Sequence, residues 1–225
     1  MIAIIDYGMG NLRSVSKGFE SLGYSTSVTR IPEEILNSSG IVLPGVGAFG
    51  DCIRNLDEYN LIEPIKKSMI QDKPFLGICL GLQVLFEESE ESPGIRGLGI
   101  FKGKIVKFPK FGDKRLKIPH MGWNQVELAK ETPLLKGIPN RSWFYFVHSY
   151  YPESDDQEII AGRTTYGVDF TCAVSKGSIF ACQFHPEKSS NLGLKILSNF
   201  ANLFGEKKIS TGETRLENSE VRSQN

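Results

Sequence analysis

Residues 73–83 of this chain read KPFLGICLGLQ, an apolar segment in which Cys79 stands between Gly77 and Gly81. The pattern predicts a buried strand that ends at Cys79 and turns sharply into a helix. Glycines on both sides let other groups approach the sulfur closely, because they have no Cβ. The first amides of the helix and its dipole favour the thiolate, the form that acts as a nucleophile. A structural cysteine is the alternative, since free cysteines are often buried.

A second segment, far downstream, supplies a base and a carboxylate. Residues 179–187 read IFACQFHPE, so His185 and Glu187 lie two positions apart at the end of a predicted strand and project to the same side. A carboxylate can keep one imidazole nitrogen protonated, which leaves the other to accept a proton from a thiol. Alone, the segment also fits a surface turn that caps a strand. Together with the cysteine turn, it predicts a catalytic triad of Cys79, His185 and Glu187.

The first ninety residues alternate between strand and helix patterns, which predicts a parallel sheet with helices on both faces. Predicted strands cover residues 1–6, 24–29, 40–44 and 74–79, and predicted helices cover residues 11–22, 51–56 and 61–71. The second half is predicted as mostly antiparallel β structure, with strands at 100–108, 143–147, 159–164, 170–174 and 179–184 and a final helix at 192–203. We therefore expect the α/β class, with an open, twisted, largely parallel sheet. Ligands bind at the carboxyl ends of such strands, where Cys79 lies.

The composition argues against several classes of function. With 26 basic and 26 acidic residues, the formal net charge is zero, so nothing indicates binding to nucleic acid or to a membrane surface. The four cysteines have no CxxC spacing, and with three histidines they form no metal-site pattern. We expect reduced thiols, no metal and no cofactor. The first residues show no signal-peptide pattern, so we expect a cytoplasmic location.

A change in composition divides the chain into one folded domain and a tail. Residues 1–204 are apolar enough to form a single domain with a sizeable core. Residues 205–225 carry balanced charges and only three aliphatic side chains, those of Ile209, Leu216 and Val221. Such a segment cannot bury enough apolar surface to offset its ordering entropy. We expect a disordered polar tail, with a docking peptide for a partner as the alternative.

Several motifs resemble a known family. GICLG at residues 77–81, with Gln83 and the later FHPE at 184–187, looks like the class I (triad) glutamine amidotransferases. Four further blocks narrow the likeness: IIDYGMGN at 4–11, LPGVGAFGD at 43–51, PHMGWN at 119–124 and FVHSY at 146–150. They resemble the glutaminase subunits of imidazole glycerol phosphate synthases, a family of histidine biosynthesis. The resemblance extends from Met1 to about Phe204.

The resemblance implies an activity and a set of site residues. The triad would hydrolyse L-glutamine to glutamate and ammonia through a thioester on Cys79, without a cofactor. The backbone at Gly45, Val46, Gly47 and Leu80 would form an oxyanion hole, because the tetrahedral intermediate needs preoriented donors. The glutamine-binding side of the site would include Gln83, Glu91, Ser149 and Tyr150. Glu91 belongs to an acidic run that fits a solvated helix face equally well.

The resemblance also implies a partner. In that family a separate (β/α)₈-barrel subunit receives the ammonia and makes imidazole glycerol phosphate and aminoimidazole carboxamide ribotide. A barrel of ~250 residues does not fit into this chain beside a glutaminase, so a heterodimer is expected. Interface candidates are Asn11, His120 and Trp123, although Trp123 also fits a core position. The basic run 102–117 fits either an interface with an acidic patch or a solvated hairpin.

Three other functions are compatible with parts of the pattern. A paralogous glutaminase would have the same triad and supply ammonia to another synthase, for example one that amidates a nucleotide-linked sugar. A redox sensor would use Cys79 on the same fold, and a cysteine peptidase or hydrolase would use it on another substrate. The intact His185-x-Glu187 pair and Gln83 argue against the sensor. The triad alone does not identify the ammonia recipient.

Overall fold

The computed structural model describes residues 1–112 and 116–205. The strands of the described chain are β1 (Ile2–Ile5), β2 (Thr26–Thr29), β3 (Gly40–Gly45), β4 (Phe75–Cys79), β5 (Glu88–Ser89), β6 (Gly103–Lys107), β7 (His120–Leu128), β8 (Ser142–His148), β9 (Tyr150–Ser154), β10 (Ile160–Tyr166), β11 (Val168–Lys176) and β12 (Ile179–Cys182). The α-helices are α1 (Leu12–Ser21), α2 (Pro32–Asn37), α3 (Phe49–Glu58), α4 (Ile62–Ile70), α5 (Leu80–Gln83) and α6 (Ser190–Asn202).

A mixed sheet of nine strands forms the centre of the molecule, in the order β2-β1-β3-β4-β12-β11-β10-β7-β8. Its first five strands pair in parallel, and the remaining four continue the sheet in antiparallel pairings. Strands β5, β6 and β9 form a smaller sheet. The predicted α/β class, with a parallel first half and a largely antiparallel second half, is confirmed.

Apolar side chains cover both faces of the sheet. Phe75 of β4 belongs to the layer that packs under α3 and α4, whereas the next residue, Leu76, belongs to the layer under α1 and α6. Strands that are buried on both faces are expected to be continuously apolar, which explains the sequence of β4. The strand therefore places its last residue, Cys79, at a fixed point between two packed layers.

Some predicted elements differ from the structure. Strands β7 and β9 and the short helix α2 were not predicted. Pro152 in β9 breaks a strand pattern, but the structure accommodates it because β9 is an edge strand of the small sheet. The predicted strand 100–108 begins only at Gly103, and the predicted strand 179–184 ends at Cys182.

Two sequence predictions fall largely or partly on residues outside the described ranges. The tail at 205–225 lies outside them except for Gly205, and the basic run 102–117 includes the undescribed residues 113–115. Among the described residues, no helix is both long enough and apolar enough to cross a membrane.

Candidate active site

Cys79 occupies a strained turn between β4 and α5. Its backbone has φ 56° and ψ −107°, a conformation that residues with a Cβ rarely adopt. A Cβ at Gly77 would lie 2.6 Å from the carbonyl oxygen of Gly81, and a Cβ at Gly81 would collide with the carbonyl oxygen of Leu43. Both glycines are therefore required for the chain to turn here, as the sequence predicted.

The helix that follows the turn is shorter than predicted. Helix α5 contains a single turn, Leu80–Gln83. The partial charge at a helix terminus comes from aligned peptide dipoles, and one turn aligns few of them. The expectation that the first amides and the dipole of this helix favour the thiolate therefore stays a prediction, with a smaller dipole than a longer helix would have.

His185 and Glu187 form the predicted pair. Nδ1 of His185 lies 2.8 Å from Oε1 of Glu187, and both side chains are almost completely buried. A carboxylate can only accept, so Nδ1 carries the proton and Nε2 faces away from Glu187. Nε2 is buried and has no hydrogen-bond partner within ordinary range among the described residues. An unpartnered buried nitrogen of this kind is ready to exchange a proton.

Cys79 is the neighbour that influences this free nitrogen. Burial acts to lower the pKa of His185, but hydrogen bonding and charge interactions with Cys79 and Glu187 outweigh it and raise the pKa to about 10. The sulfur is thus close enough to favour the imidazolium, although no well-formed hydrogen bond joins it to Nε2. Such contacts are often long before substrate binds. The structure therefore brings the three predicted triad residues together.

The other three cysteines have a different environment. Cys52, Cys172 and Cys182 are completely buried in the apolar layers. Burial raises the pKa of Cys52 and of Cys172 to about 12 and raises the pKa of Cys182 well above its usual range. These thiols remain protonated and inert. Cys79 is 6% exposed and is the cysteine that reaches a cavity.

The cavity at Cys79 has a volume of about 270 Å³, which suits a small ligand. It is lined by Val46, Gly47, Cys79, Leu80, Gln83, Glu91, Pro119, Val147, His148, Ser149 and Tyr150. All four predicted glutamine-binding residues are in this lining, together with three of the four predicted oxyanion-hole positions. The fourth, Gly45, lies opposite Cys79 in the register of β3 and β4.

Two of the predicted binding residues are already held by the protein. Oε2 of Glu91 accepts a hydrogen bond from the amide of Phe49, the first residue of α3, at 2.7 Å. Glu91 lies in a turn after β5, so the alternative of a solvated helix face is wrong. Nε2 of Gln83 donates to the carbonyl of Tyr150 at 3.0 Å and to Oε1 of Gln183 at 3.2 Å. Glu91 and Gln83 are thus fixed in position at the wall of the cavity.

The exit of β3 packs tightly against the cysteine turn. A Cβ at Gly45 would lie 2.5 Å from the hydroxyl of Tyr7 and 2.7 Å from Cβ of Leu80. Gly47 has φ +100°, a conformation that favours glycine. Val46, between Gly45 and Gly47, has an exposed side chain. The exit of β3 therefore shares the wall of the cavity with Cys79, through Val46 and Gly47.

The interface candidates have different surroundings. His120 is only 2% exposed and stacks between Phe146 and Tyr166, with ring centroids 4.9 and 4.1 Å away. The prediction that His120 contacts a partner is wrong, because its ring is sealed inside the molecule. Trp123 is 48% exposed, so the alternative of a core tryptophan is wrong. Asn11 is partly buried where α1 begins.

Three residues near the sulfur were not singled out from the sequence. Nε2 of Gln183 donates to Sγ of Cys79 at 3.5 Å, and the thiol lies 3.9 Å from the carbonyl oxygen of Val147. His148 lines the cavity beside them. A signal for Gln183 existed, since it precedes His185 by two positions and shares its side of an extended chain.

Comparison with known proteins places this geometry in a family. A family model for glutamine amidotransferase class-I matches residues 3–203. The chain belongs to the class-I glutamine amidotransferases. Members of this family named imidazole glycerol phosphate synthase subunit HisH are similar to it. The protein from Geobacter sulfurreducens is 49% identical over 90% of this chain and 98% of its own length. The one from Desulfitobacterium hafniense is 52% identical over 89% of this chain and 93% of its own length.

Solved structures of other amidotransferases share the fold. A crystal structure of a glutamine amidotransferase superposes with a TM-score of 0.71 at 18% identity, covering 91% of this chain and all of the other. The structure of PurLQS from Thermotoga maritima gives a TM-score of 0.68 at 19% identity, covering 90% of this chain and 97% of the other. At such low identity these amidotransferases support the fold of the chain and not a particular substrate.

Proposed function

We propose that this chain is the glutaminase subunit of an imidazole glycerol phosphate synthase and supplies ammonia for histidine biosynthesis. One observation supports the chemistry: the buried His185–Glu187 pair, joined at 2.8 Å, interacts with Cys79, a cysteine that lines a cavity. The biological role is inferred from the relatives, because HisH subunits are about half identical to this chain over about nine-tenths of its length.

The reaction uses the imidazolium form of His185, in which Nε2 carries the proton that Cys79 has given up and Glu187 stabilises the charge. The thiolate attacks the side-chain carboxamide carbon of L-glutamine. His185 then donates the proton to the departing nitrogen, and ammonia leaves a glutamyl thioester on Cys79. Neutral His185 next accepts a proton from water, which hydrolyses the thioester to glutamate and restores the thiol. No metal or cofactor takes part.

The oxyanion of the intermediate requires backbone donors. In the proposal the amides around Gly45, Val46 and Gly47, together with that of Leu80, fill this role, because Val46, Gly47 and Leu80 line the cavity with Cys79 and Gly45 pairs with it in the sheet. As the first residue of α5, Leu80 has an amide without an intrahelical acceptor. Removal of one such donor typically costs ~3 kcal/mol of transition-state stabilisation.

Glutamine is held by groups on the opposite side of the cavity. Glu91 is the acidic residue of the cavity lining, so it binds the α-ammonium group of the substrate. Its second bond, to the amide of Phe49, fixes the carboxylate in place and limits the entropy lost on binding. Gln83, Ser149 and Tyr150 complete the binding surface.

The released ammonia passes to a (β/α)₈-barrel subunit, and the structure offers a surface for that partner. Strands β7 and β8 pair Met121 with Val147 and Trp123 with Tyr145, so these side chains share one face. We call this face, with Trp143, the β7–β8 face. Met121 is 62% and Trp143 is 53% exposed. Exposed apolar surface of this kind marks protein interfaces.

The position of the β7–β8 face favours direct transfer of ammonia. Val147 belongs both to the β7–β8 face and to the lining of the cavity at Cys79. A partner bound on this face therefore lies at the mouth of the active site. Such closure is needed because ammonia that escapes into water is protonated and lost as a nucleophile.

The experiment that tests the function uses the purified chain and a barrel subunit of imidazole glycerol phosphate synthase. We expect the mixture to release glutamate from glutamine much faster than either protein alone. Cys79→Ala should abolish glutamine-dependent synthesis and leave ammonia-dependent synthesis intact. If the barrel gives no stimulation and another ammonia-dependent synthase does, the chain is a paralogous glutaminase and the proposal is wrong.

A further inference from the structure

Gln183 lies beside the nucleophile because of the pairing of two parallel strands. Cys182, the last residue of β12, is opposite Ile78 of β4. One step further along this register places Gln183 beside Cys79. The backbone amide of Gln183 donates to the carbonyl oxygen of Cys172 at 2.8 Å, which fixes the Gln183 backbone on the side away from β4. The side chain thus projects from a rigid sheet directly toward the sulfur.

The hydrogen bonds determine which end of the Gln183 amide faces the sulfur. A backbone carbonyl can only accept, so the atom of Gln83 that lies 3.0 Å from the Tyr150 oxygen is Nε2. The Gln183 atom 3.2 Å from that nitrogen must then be the acceptor, Oε1. The remaining terminal atom of Gln183, 3.5 Å from Sγ of Cys79, is therefore the donor Nε2.

Burial of the Gln183 side chain carries a cost in free energy. Gln183 is completely buried, and its amide would lose free energy on leaving water unless both ends were bonded. A methionine would fill a similar volume in the core without that cost. The two side-chain contacts that the structure gives, to Gln83 and to Cys79, are both with the active site.

We propose that Gln183 is a catalytic residue of this site, whose side-chain amide donates a hydrogen bond to the Cys79 thiolate and holds the sulfur toward the cavity. Helix α5 has a single turn and therefore a small dipole, and His185 must give up its proton to the leaving nitrogen during the reaction. Gln183 keeps its donor throughout. The inference rests on the proposed function for its place in the reaction, but the contact can be tested without glutamine.

The test is the pH dependence of Cys79 alkylation by iodoacetamide in the isolated full chain, followed by mass spectrometry of the peptide that contains Cys79. Gln183→Met removes the donor, and a hydrogen bond to a charged group is worth about a tenfold change in equilibrium or more. We expect alkylation at pH 7 to slow by about tenfold and the midpoint of the profile to rise by about one pH unit.

The matched control is Cys182→Ala. It disturbs the packing at the buried β12 neighbour of Gln183 and leaves both side-chain hydrogen bonds of Gln183 in place. We expect its alkylation profile to stay close to that of the parent chain. If Gln183→Met follows the parent profile, or if both variants shift equally, Gln183 only supports the local packing and the proposal is overturned.

A second measurement needs no variant and applies if Gln183→Met does not fold. The side-chain amide signal of Gln183 in a proton–nitrogen NMR spectrum should move when Cys79 is alkylated, whereas that of the exposed Gln71 should not. An unmoved Gln183 signal contradicts the proposal. Failure of the parent chain to release glutamate with the barrel subunit would refute the proposed function and leave both of these results valid.

Discussion

Nδ1 of His120 lies 3.0 Å from Nε2 of His148, and both imidazoles are buried. Nδ1 of His148 also lies 2.9 Å from the carbonyl oxygen of Tyr150, and Nδ2 of Asn124 lies 3.3 Å from Nε2 of His120. The carbonyl can only accept, so each ring donates through Nδ1 and accepts through Nε2. A second proton on either ring would break this chain. Both rings are therefore neutral in the folded protein.

This pair makes the folded protein sensitive to mild acid. Burial lowers the pKa of His120 to about 4. Burial also lowers the pKa of His148 to about 3, and charge interactions with His120 and His185 act in the same direction. Unfolded histidines have a pKa near 6.5, so below that pH only the unfolded chain takes up these protons. The contribution of these two neutral rings to the free energy of unfolding is complete above about pH 6.5. It should fall by up to ~2.7 kcal/mol per pH unit as both sites are protonated in the unfolded chain.

Urea unfolding at pH 7.0, 5.5 and 4.5 measures this effect. His185 acts in the opposite direction, because its pKa is raised to about 10: its stabilising effect is complete below about pH 6.5 and is lost as the pH rises above that value. Between pH 5.5 and 4.5 the slope therefore comes from His120 and His148. The control is His120→Gln, which still donates to His148 but cannot titrate, so the dependence on pH should fall by about half. A free energy of unfolding that stays constant from pH 7.0 to 4.5 would contradict neutral, buried rings.

Glu187→Gln tests the orientation of the catalytic base. The amide is neutral and stabilises the imidazolium of His185 less than a carboxylate does, so we expect kcat for glutamine hydrolysis to fall about a hundredfold while KM changes little. The assay is glutamate release in the presence of the barrel subunit. Glu63→Gln, at an exposed position of α4, is the control and should be fully active. An equally active Glu187→Gln variant would show that the pair is only structural.

Gly81→Ala tests the close packing of the cysteine turn. The added Cβ would collide with the carbonyl oxygen of Leu43, a backbone atom of a central strand that cannot move without disrupting the sheet. We expect the free energy of unfolding to fall by more than ~3 kcal/mol in urea denaturation. Gly112→Ala, where no atom lies within 4 Å of the new Cβ, should be close to neutral. Equal stability of the two variants would mean that the turn tolerates a side chain.

Trp123→Ala tests the docking surface. Its side chain is exposed in this chain and lies on the β7–β8 face, so its loss should weaken binding of the barrel subunit by at least about 2 kcal/mol, or roughly thirtyfold in Kd. Isothermal titration calorimetry measures the affinity. The control is Ile70→Ala, which removes an exposed apolar side chain at the end of α4. If the two variants bind the barrel subunit equally well, the β7–β8 face is not the interface.

The sequence allowed the triad to be predicted because each of its members follows an apolar strand. The motif around Cys79 and the pair His185-x-Glu187 are local patterns, and a parallel sheet brings the ends of its strands to one edge. The cavity residues were found through the family resemblance. Local patterns also sufficed for the first four strands, since strands buried on both faces are continuously apolar.

Features that depend on long-range pairing were missed or wrong. The spacing of Gln183 from His185 indicated a shared side, but the contact of Gln183 with the sulfur depends on the register in which β12 pairs with β4. His120 was placed at an interface because exposed aromatic residues tend to anchor interfaces, but the ring is buried and bonded to His148 across the β7–β8 pairing. The sequence also does not show that α5 ends after one turn.

In the proposed reaction Cys79 forms a glutamyl thioester with the side chain of glutamine. Acid quenching of the chain during turnover with the barrel subunit and glutamine, followed by mass spectrometry of its peptides, detects this intermediate. We expect a glutamyl adduct on the peptide that contains Cys79, which disappears when glutamine is replaced by ammonia. An adduct on another residue, or undiminished glutamine turnover by Cys79→Ala, would contradict the proposed reaction.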